Sequence, residues 1–320
     1  MRIARVWSGA VGVLLVSTIL VAPSGAAAAD PLINVPSEVP TIQAAIDAAP
    51  SGGSVLVAPG VYHEHIDFHG RTVEVRSSAG PASTVIDGGG TGTVVTFRQA
   101  ETRATTLRGF TIRNGAQSGI RVLFAAPTIA GNIVTANNGG ADGGGLYVYQ
   151  SAPLIEGNVI QGNSAYNSGG GLYLLGDHGT VVVGNTVEDN TASHGGGMNI
   201  WVADHTLVLN NLFRGNRGGG LENYSESGGP DVLISQNLVV DNEGSGLYLH
   251  SSTYSQGPVV ANNTVAGNVA PGYAITSSGD YLAVNNILSS PSSAAAVRCE
   301  GGSGRLLYND VYNGTPTPLL

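Results

Sequence analysis

A pair of asparagines separated by four residues recurs six times in this chain, and no other feature constrains the fold as strongly. The pairs are Asn132/Asn137, Asn158/Asn163, Asn185/Asn190, Asn211/Asn216, Asn237/Asn242 and Asn263/Asn268. Their first members are spaced by 26, 27, 26, 26 and 26 along the chain. A fixed period of this length indicates a repeat protein whose small units stack on one another, because one such unit cannot bury its own apolar face.

Each repeat contains short runs typical of β-strands. In the copy that begins at Gly143 these include LYVY and NVI, separated by glycine, asparagine and serine. Such runs leave no room for a helix. Stacked coils would place equivalent side chains about 4.8 Å apart in neighbouring strands. The sequence therefore predicts that each asparagine column forms a structural ladder of hydrogen bonds rather than a catalytic site.

Residues 1–29 have the pattern of a secretory signal peptide. Arg2 and Arg5 precede an apolar run at 10–22, and small residues follow at 23–29. The apolar run is too short for a membrane span. We therefore expect cleavage after residue 27, 28 or 29 and a secreted, extracellular mature chain. No later apolar run is long enough to span a bilayer.

Charge narrows the range of partners. All 13 basic residues are arginines, and without Arg2 and Arg5 the remaining 11 face 22 acidic residues, a net charge of −11. Such a surface disfavours nucleic acid and anionic membranes. It also disfavours acidic polysaccharides unless a cation bridges the two, so Ca²⁺ is the one cofactor that the sequence leaves open. No set of residues is predicted to bind a metal.

Residues 30–103 are expected to form an N-terminal cap and the first coils, and residues 104–320 the regular coils. The segment TIQAAIDAA at 41–49 places Ile42, Ala45, Ile46 and Ala49 on one face of a short helix, which would cover the open end of the stack. The C-terminal end shows no comparable cap. We expect residues 291–296 or a partner to cover it, with self-association through this end as one form of that contact.

Cys299 is the only cysteine of the chain. An exported protein with one cysteine has no internal disulfide, so its stability must come from the stacking of coils. We expect the thiol to be buried and inert. A reactive thiol and an intermolecular bridge are the alternatives.

Several segments resemble the right-handed parallel β-helix proteins of the pectate-lyase-like superfamily: TIQAAIDAAPSGGSVLVAPGVYHEHI, VIDG, GNIVTAN, GNVIQGN and GNTVEDN. The resemblance covers nearly all of the mature chain and implies an all-β fold, a single-stranded right-handed parallel β-helix. It also implies three strands per coil: the GGGLY segment, the segment that ends at the first asparagine, and the residues directly after it. That superfamily includes polysaccharide lyases, glycoside hydrolases, epimerases, esterases and proteins with no known catalysis, so it implies no single function.

The two-residue alternation of a strand places one set of side chains outside the first strand of each coil. Leu146 and Val148 would point inward and leave Tyr147 outside, and the same alternation places Asn199 and Glu222 outside. The predicted substrate-binding face, on which sugar rings could stack, consists of Tyr147, Tyr149, Tyr173, Trp201, Tyr224, Tyr248 and His250. The alternative is that aromatic residues simply favour cross-strand pairing in a sheet.

Acidic residues and histidines flank the same strands. The candidate catalytic residues are Asp177, His178, Asp204, His205 and Glu222. Their two Asp-His dipeptides begin at positions 177 and 204, in neighbouring repeats and at nearly the same predicted corner. Asp142, His194 and Asp231 occupy related corners and could face the same groove. The alternative is that aspartate and histidine are ordinary turn residues here.

Carboxylates on adjacent coils would lie roughly 5 Å apart, and carboxylates two coils apart roughly 10 Å. These separations suit retaining or inverting glycoside hydrolysis. An aspartate with a histidine could equally bind a cation or act as general acid and base. The absence of lysine weakens a polyuronide lyase and leaves histidine or tyrosine as its base. The sequence thus predicts an extracellular polysaccharide-recognising β-helix, with a glycoside hydrolase or polysaccharide lyase acting in a groove along the first-strand sheet. A non-catalytic glycan-binding, cell-surface or structural solenoid is the alternative.

Overall fold

Each regular coil contributes one strand to each of three parallel sheets. The computed structural model describes residues 31–225, 232–252, 257–270, 272–291 and 295–313. The chain passes through what we call the first, second and third sheet in a fixed order, for example as β13 (Leu146–Tyr149), β14 (Leu154–Glu156) and β15 (Val159–Gln161). This is the all-β parallel β-helix that the sequence predicts, with the three-strand coil implied by the resemblance.

The first sheet contains ten described strands: β4 (Ile66–Asp67), β7 (Val95–Phe97), β10 (Ile120–Leu123), β13, β16 (Leu172–Leu175), β19 (Met198–Trp201), β22 (Leu221–Ser225), β25 (Leu247–Ser251), β28 (Ile275–Ser277) and β31 (Val297–Cys299). The second contains twelve: β1 (Leu32–Val35), β2 (Gly53–Val57), β5 (Val73–Ser77), β8 (Thr106–Arg108), β11 (Thr128–Ala130), β14, β17 (Val181–Val183), β20 (Thr206–Leu209), β23 (Val232–Ser235), β26 (Val259–Ala261), β29 (Tyr281–Val284) and β32 (Gly304–Leu307). The third contains eleven: β3 (Gly60–Tyr62), β6 (Thr84–Thr91), β9 (Thr111–Gly115), β12 (Ile133–Thr135), β15, β18 (Thr186–Glu188), β21 (Leu212–Arg214), β24 (Leu238–Val240), β27 (Thr264–Ala266), β30 (Ile287–Ser290) and β33 (Asp310–Asn313).

The core lies inside the coil, where the inward side chains of all three sheets meet. In one coil these are Val148, Ile155 and Ile160, each without solvent contact. Equivalent aliphatic residues above and below continue the same column, so the apolar core runs through the described coils. Burial of this column supplies the main driving force for stacking.

The predicted N-terminal helix is confirmed as α1 (Ile42–Ala48). The Thr41 side chain accepts a hydrogen bond from the Ala44 amide at 3.2 Å, and the Glu64 carboxylate accepts from the free amides of the first turn. Ile42, Ala45 and Ile46 are buried against the first coils. The helix therefore covers the N-terminal end of the core, as its apolar face predicts.

Both asparagine ladders are present. The Asn185 side-chain carbonyl accepts hydrogen bonds from the backbone amide and the side-chain amide of Asn158 in the preceding coil, at 2.9 and 3.0 Å. Its own amide donates to the Asn211 side chain at 3.0 Å and to the Ile155 carbonyl at 2.9 Å. One asparagine thus connects three coils, and all of these groups are buried.

The first ladder is longer than the repeat predicts. It continues from Asn263 through Asn286 to Asn309, with side-chain hydrogen bonds of 2.9 and 2.8 Å. These two coils are 23 residues long. The shorter spacing, and the absence of a second asparagine five positions on, hid Asn286 from the sequence pattern.

The C-terminal end of the stack exposes apolar side chains of the last described coil, namely Leu306, Leu307, Tyr308, Val311 and Tyr312. The expectation of a buried thiol is wrong, because Cys299 lies at the edge of the first sheet in β31 and is free and exposed. Its reactivity stays a prediction. Residues 292–294 of the predicted cover lie outside the described residues. Self-association through this end stays a prediction. Within the part of the chain described, no helix has the length and apolar character needed to cross a membrane.

We predict that Asn185→Ala lowers the free energy of unfolding by about 3 kcal/mol, because it orphans the buried Asn158 amide and weakens the bonds of Asn211, each such group costing about 1–3 kcal/mol. Urea unfolding of the two proteins measures the difference. Asn138→Ala is the matched control, since Asn138 lies beside a ladder position but is exposed and bonds only locally to Gly140. Equal losses in the two variants would contradict the ladder account.

Candidate active site on the first sheet

Strand pairing in the first sheet places the predicted outer face in two parallel rows. We call the row nearer the strand starts the leading row; it runs through Arg121, Tyr147, Tyr173, Asn199, Glu222 and Tyr248. The trailing row runs through Leu123, Tyr149, Leu175, Trp201, Tyr224 and His250. All seven predicted binding residues therefore share one face. Whether they bind a sugar stays a prediction.

The leading row is more buried than strand alternation predicts. Asn199 and Glu222 point away from the core but are only 0% and 6% exposed. The glycine turns before β13, β16 and β19 fold back over this row, and a Cβ added to Gly195 would lie 2.9 Å from the Cβ of Asn199. Gly195 also has a φ of 55°, so both conformation and space require glycine there.

A groove of about 460 Å³ opens where the leading row meets these turns. Its charged, imidazole and phenol side chains are His194, Arg217, Glu222, Tyr224, Glu243 and Tyr248, and Ser193 and Ser245 complete the polar lining. His194 Nδ1 lies 3.4 Å from the Glu222 carboxylate, and Arg217 Nε donates to the Glu243 carboxylate at 2.8 Å. The groove thus brings together two carboxyl groups, an imidazole and two phenols.

Burial raises the pKa of the Glu222 carboxyl. The His194 charge and hydrogen bonds involving His194, Tyr224 and the Gly195 backbone act in the opposite direction without cancelling that effect. Burial, and after it the charge of the neighbouring Glu222 carboxylate, raises the pKa of the Tyr224 phenol to about 12. Glu222 therefore keeps its proton to higher pH than an exposed glutamate, which is the property required of a general acid.

The trailing row forms an aromatic column. The Trp201 and Tyr224 rings stack with centroids 4.5 Å apart, and His250 lies 4.8 Å from Tyr224 on the next strand. Both faces of Tyr224 are thus covered by its neighbours. Trp201 lies at the end of this column, so its ring is the better placed to contact a ligand. The contacts among the aromatic rings themselves are those expected from cross-strand pairing in a sheet.

Both Asp-His dipeptides follow the C-terminal ends of first-sheet strands, whereas the Glu222 groove lies at the strand starts. The two dipeptides do not occupy equivalent positions in their coils. The local coil spacing is one position shorter than the spacing of the dipeptides, so His178 pairs with Asp204. His178 Nδ1 lies 2.5 Å from the Asp204 carboxylate, and His205 lies 3.6 Å from it. The expectation of one shared groove is wrong for this cluster, whose catalytic role stays a prediction. Asp231 lies outside the described residues.

Asp177 is buried in the corner between the first and second sheets, with 0% exposure. Its carboxyl oxygens accept hydrogen bonds from the Ser151 amide and the Thr180 hydroxyl, both at 3.1 Å. Ser151 accepts from the Ala125 amide in the same way. Ala125, Ser151 and Asp177, in three successive coils, thus form a short ladder at this corner, similar to the asparagine ladders. Burial raises the pKa of Asp177 to about 7.

No group of three or more histidine, cysteine, aspartate or glutamate side chains within the described ranges is placed to hold a metal ion. The Asp204 cluster contributes one carboxylate and two imidazoles, but only two of these three side chains are in hydrogen-bond contact. A calcium ion bridging protein and glycan stays an open prediction.

Comparison with known families decides the relationship of the chain. The family described as "Right handed beta helix region" matches residues 94–255 and 140–288, which together make up more than half of the sequence. The chain belongs to the right-handed beta-helix family. A search of curated proteins finds no significant match.

Solved structures agree with this fold. The A-module of mannuronan C-5 epimerase AlgE4 from Azotobacter vinelandii superposes on the beta-helix protein with a TM-score of 0.54 at 19% identity, covering 87% of this chain and 92% of the module. The PL6 family alginate lyase AlyGC superposes with a TM-score of 0.52 at 14% identity, covering 85% of this chain and 40% of the lyase. At these identities the likeness shows the fold alone.

Sequence reasoning missed the contact between His194 and Glu222 in this beta-helix protein. Both residues are visible as flanking groups, but they lie far apart in the sequence and occupy different coils. The GGG repeated before β13, β16 and β19 was the available signal, because the first glycine of each permits the close approach that brings the turn onto the leading row. Arg217, which follows the third-sheet strand β21, also borders the groove.

We predict that Asp177→Asn makes the beta-helix protein more stable at pH 8 and nearly unchanged at pH 4. The folded pKa of about 7 exceeds the ordinary value near 4, so the native protein loses stability as pH rises between these values, by at most about 1.4 kcal/mol per pH unit. The side-chain carbonyl of asparagine still accepts the hydrogen bond from the Ser151 amide, but it carries no negative charge.

Thermal unfolding of both proteins from pH 4 to 8 measures this effect. The exposed Asp189 provides the control, and Asp189→Asn should leave the pH dependence of the melting temperature unchanged. If Asp177→Asn were as destabilising at pH 8 as at pH 4, the buried carboxyl would not be the source of the slope.

Proposed function

We propose that the protein is an exported, polysaccharide-recognising β-helix that cleaves its glycan in the Glu222 groove. The observation that carries this proposal is a buried carboxyl group with a raised pKa, 3.4 Å from an imidazole, on the floor of an open groove. Perturbed carboxyl groups in clefts are characteristic of acid–base sites. The stack of parallel strands offers an extended surface that suits a long polymer.

The structural neighbours support this substrate class. Both are named for reactions on polysaccharides, as a mannuronan epimerase and an alginate lyase. The predicted signal peptide at residues 1–29, which lies outside the described residues, would export the protein to the compartment where such polymers occur.

Hydrolysis is the reaction that the groove favours. Glu222, which keeps its proton to higher pH than an exposed glutamate, can donate that proton to the glycosidic oxygen. Glu243, the second carboxyl group of the groove, is held by Arg217 and can act on water or on the sugar. A lyase would instead use His194 or a groove tyrosine to remove a proton, and its unsaturated products would identify it.

We predict that Glu222→Gln lowers kcat at least about 100-fold and changes glycan affinity little, because glutamine keeps the shape but cannot donate the proton. The wild-type rate should fall as pH rises through the Glu222 pKa. A panel of polysaccharides, assayed with and without Ca²⁺ for reducing ends and unsaturated products, measures turnover and separates hydrolase from lyase.

Glu156→Gln is the control for this experiment, since Glu156 is exposed on the second sheet. It should cleave at the wild-type rate. Unchanged turnover in Glu222→Gln would exclude Glu222 as the acid, and glycan binding without turnover by the wild type would favour the non-catalytic alternative. The same assay with Asp204→Ala tests the separate Asp-His cluster.

We predict that Trp201→Ala weakens glycan binding about tenfold, since an aromatic surface against a ligand ring contributes about 0.5–1.5 kcal/mol beyond its buried area. Calorimetry with an oligosaccharide measures the affinity. Tyr308→Ala is the control, because Tyr308 is 87% exposed and follows β32 of the second sheet. Equal affinities for all three proteins would mean that the aromatic column only stabilises the sheet.

A further inference from the structure

Arg121 is unlike the other arginines of the first sheet. It occupies the leading row in β10, between Thr96 and Tyr147 of the neighbouring strands. Its guanidinium carbon lies 4.7 Å from the centre of the Tyr147 ring. Its Nε atom is buried without a hydrogen-bond partner. The Tyr147 ring therefore holds a guanidinium in place while its donors remain unsatisfied by the described residues.

Unpaired arginines are rare in this acidic protein. In the described part of the chain, only Arg121 and Arg305 lack both an ion pair and a hydrogen bond, and Arg305 lies in the last coil of the second sheet. With acidic residues outnumbering basic ones 22 to 13, most arginines meet a carboxylate. A half-buried guanidinium that meets none is arranged for an anion from outside.

The surroundings of Arg121 also favour an anion. A pocket of about 430 Å³ at this point is lined by His65, Thr93, Thr96, Arg98, Gln117 and Arg121, and no carboxylate lines it. Arg98 is paired with Asp67 at 2.6 Å, so Arg121 supplies the free positive charge. His65 is bonded to the Thr93 carbonyl at 2.7 Å, and the hydroxyls and amide of the pocket are neutral donors.

We propose that Arg121 forms a subsite for an anionic group, a carboxylate or a sulfate ester, carried by a glycan that lies along the leading row. This inference rests on the proposed function. Four coil spacings separate Arg121 from Glu222, or about 19 Å. The anionic group would therefore lie several sugar units from the bond at Glu222.

The row between the two sites limits how many charges the glycan carries. Tyr147, Tyr173 and Asn199 offer no positive charge. The Asp142 carboxylate acts electrostatically on both tyrosines and would repel an acidic sugar bound beside them. A polymer charged on every unit would gain binding affinity at Arg121 and lose binding affinity along the rest of the row. The geometry thus selects a mainly neutral glycan with widely spaced anionic groups, which agrees with the acidic surface of the chain.

Calorimetry with four glycans tests this specificity: one neutral polymer, the same polymer sparsely oxidised to carboxylates, the same polymer sparsely sulfated, and a polyuronate. The wild type should prefer a sparsely charged form to the neutral one by about tenfold or more, as expected for a charged hydrogen bond. Arg121→Gln should remove that preference and leave affinity for the neutral polymer unchanged. Arg305→Gln removes one positive charge from a different sheet and should retain the preference for the charged polymer.

Three results would overturn the subsite: an anion preference that survives Arg121→Gln, an equal loss of affinity for the neutral and charged polymers, or tightest binding of the polyuronate. The carboxylated and sulfated arms show which group is recognised. Glucuronate and sulfate alone provide a second test, since each should raise the melting temperature of the wild type and not of Arg121→Gln.

The small anions also separate this inference from the proposed function. If they stabilise the wild type through Arg121 while no polysaccharide binds, the subsite stands and the polysaccharide proposal fails. If polysaccharide is cleaved with no dependence on Arg121, the proposed function stands and the subsite fails. If neither anions nor polymers bind, both are wrong.

Discussion

The parallel register of the coils depends on buried asparagines that each bond to the coil before and the coil after. A β-helix coil has corners where backbone amides point into the interior and find no partner in a sheet. The Asn158 amide, for example, donates to the Asn185 side chain, whose own amide donates onward. A shift of one coil by a single position would orphan a buried donor in every ladder, at about 1–3 kcal/mol for each group. The ladders therefore fix which residues become neighbours.

This register creates the candidate site. Tyr173, Asn199, Glu222 and Tyr248 each lie a whole coil apart in the sequence, yet they are adjacent in the leading row. The glycine turns then cover the row and exclude water from part of it. The resulting burial raises the pKa of Glu222, while the open side of the groove leaves the carboxyl within reach of a ligand. Stability and proposed chemistry thus share one structural cause.

The fold was predictable because it depends on spacing, which the sequence shows directly. The ladders and strand order, together with the capping helix, follow from the asparagine period, the strand alternation and the apolar face at 41–49. Alternation gives the direction of a side chain but not what covers it, so the burial of Asn199 and Glu222 could not be foreseen. The Asp-His dipeptides were misaligned because their spacing exceeds the local coil spacing by one position, which brings His178 opposite Asp204. The exposure of Cys299 depends on its place in the last described strand of its sheet, which composition does not reveal.

The central claim is that a glycan lies along the leading row and crosses Glu222. A crystal structure of the mature protein with a bound oligosaccharide tests it most directly, because it shows the path of the sugar chain against the coils. The account predicts sugar rings following the stack on the first sheet, with a glycosidic oxygen within hydrogen-bond distance of the Glu222 carboxyl. Ordered sugars on the second or third sheet, or on the first sheet but away from the Glu222 groove, would contradict it.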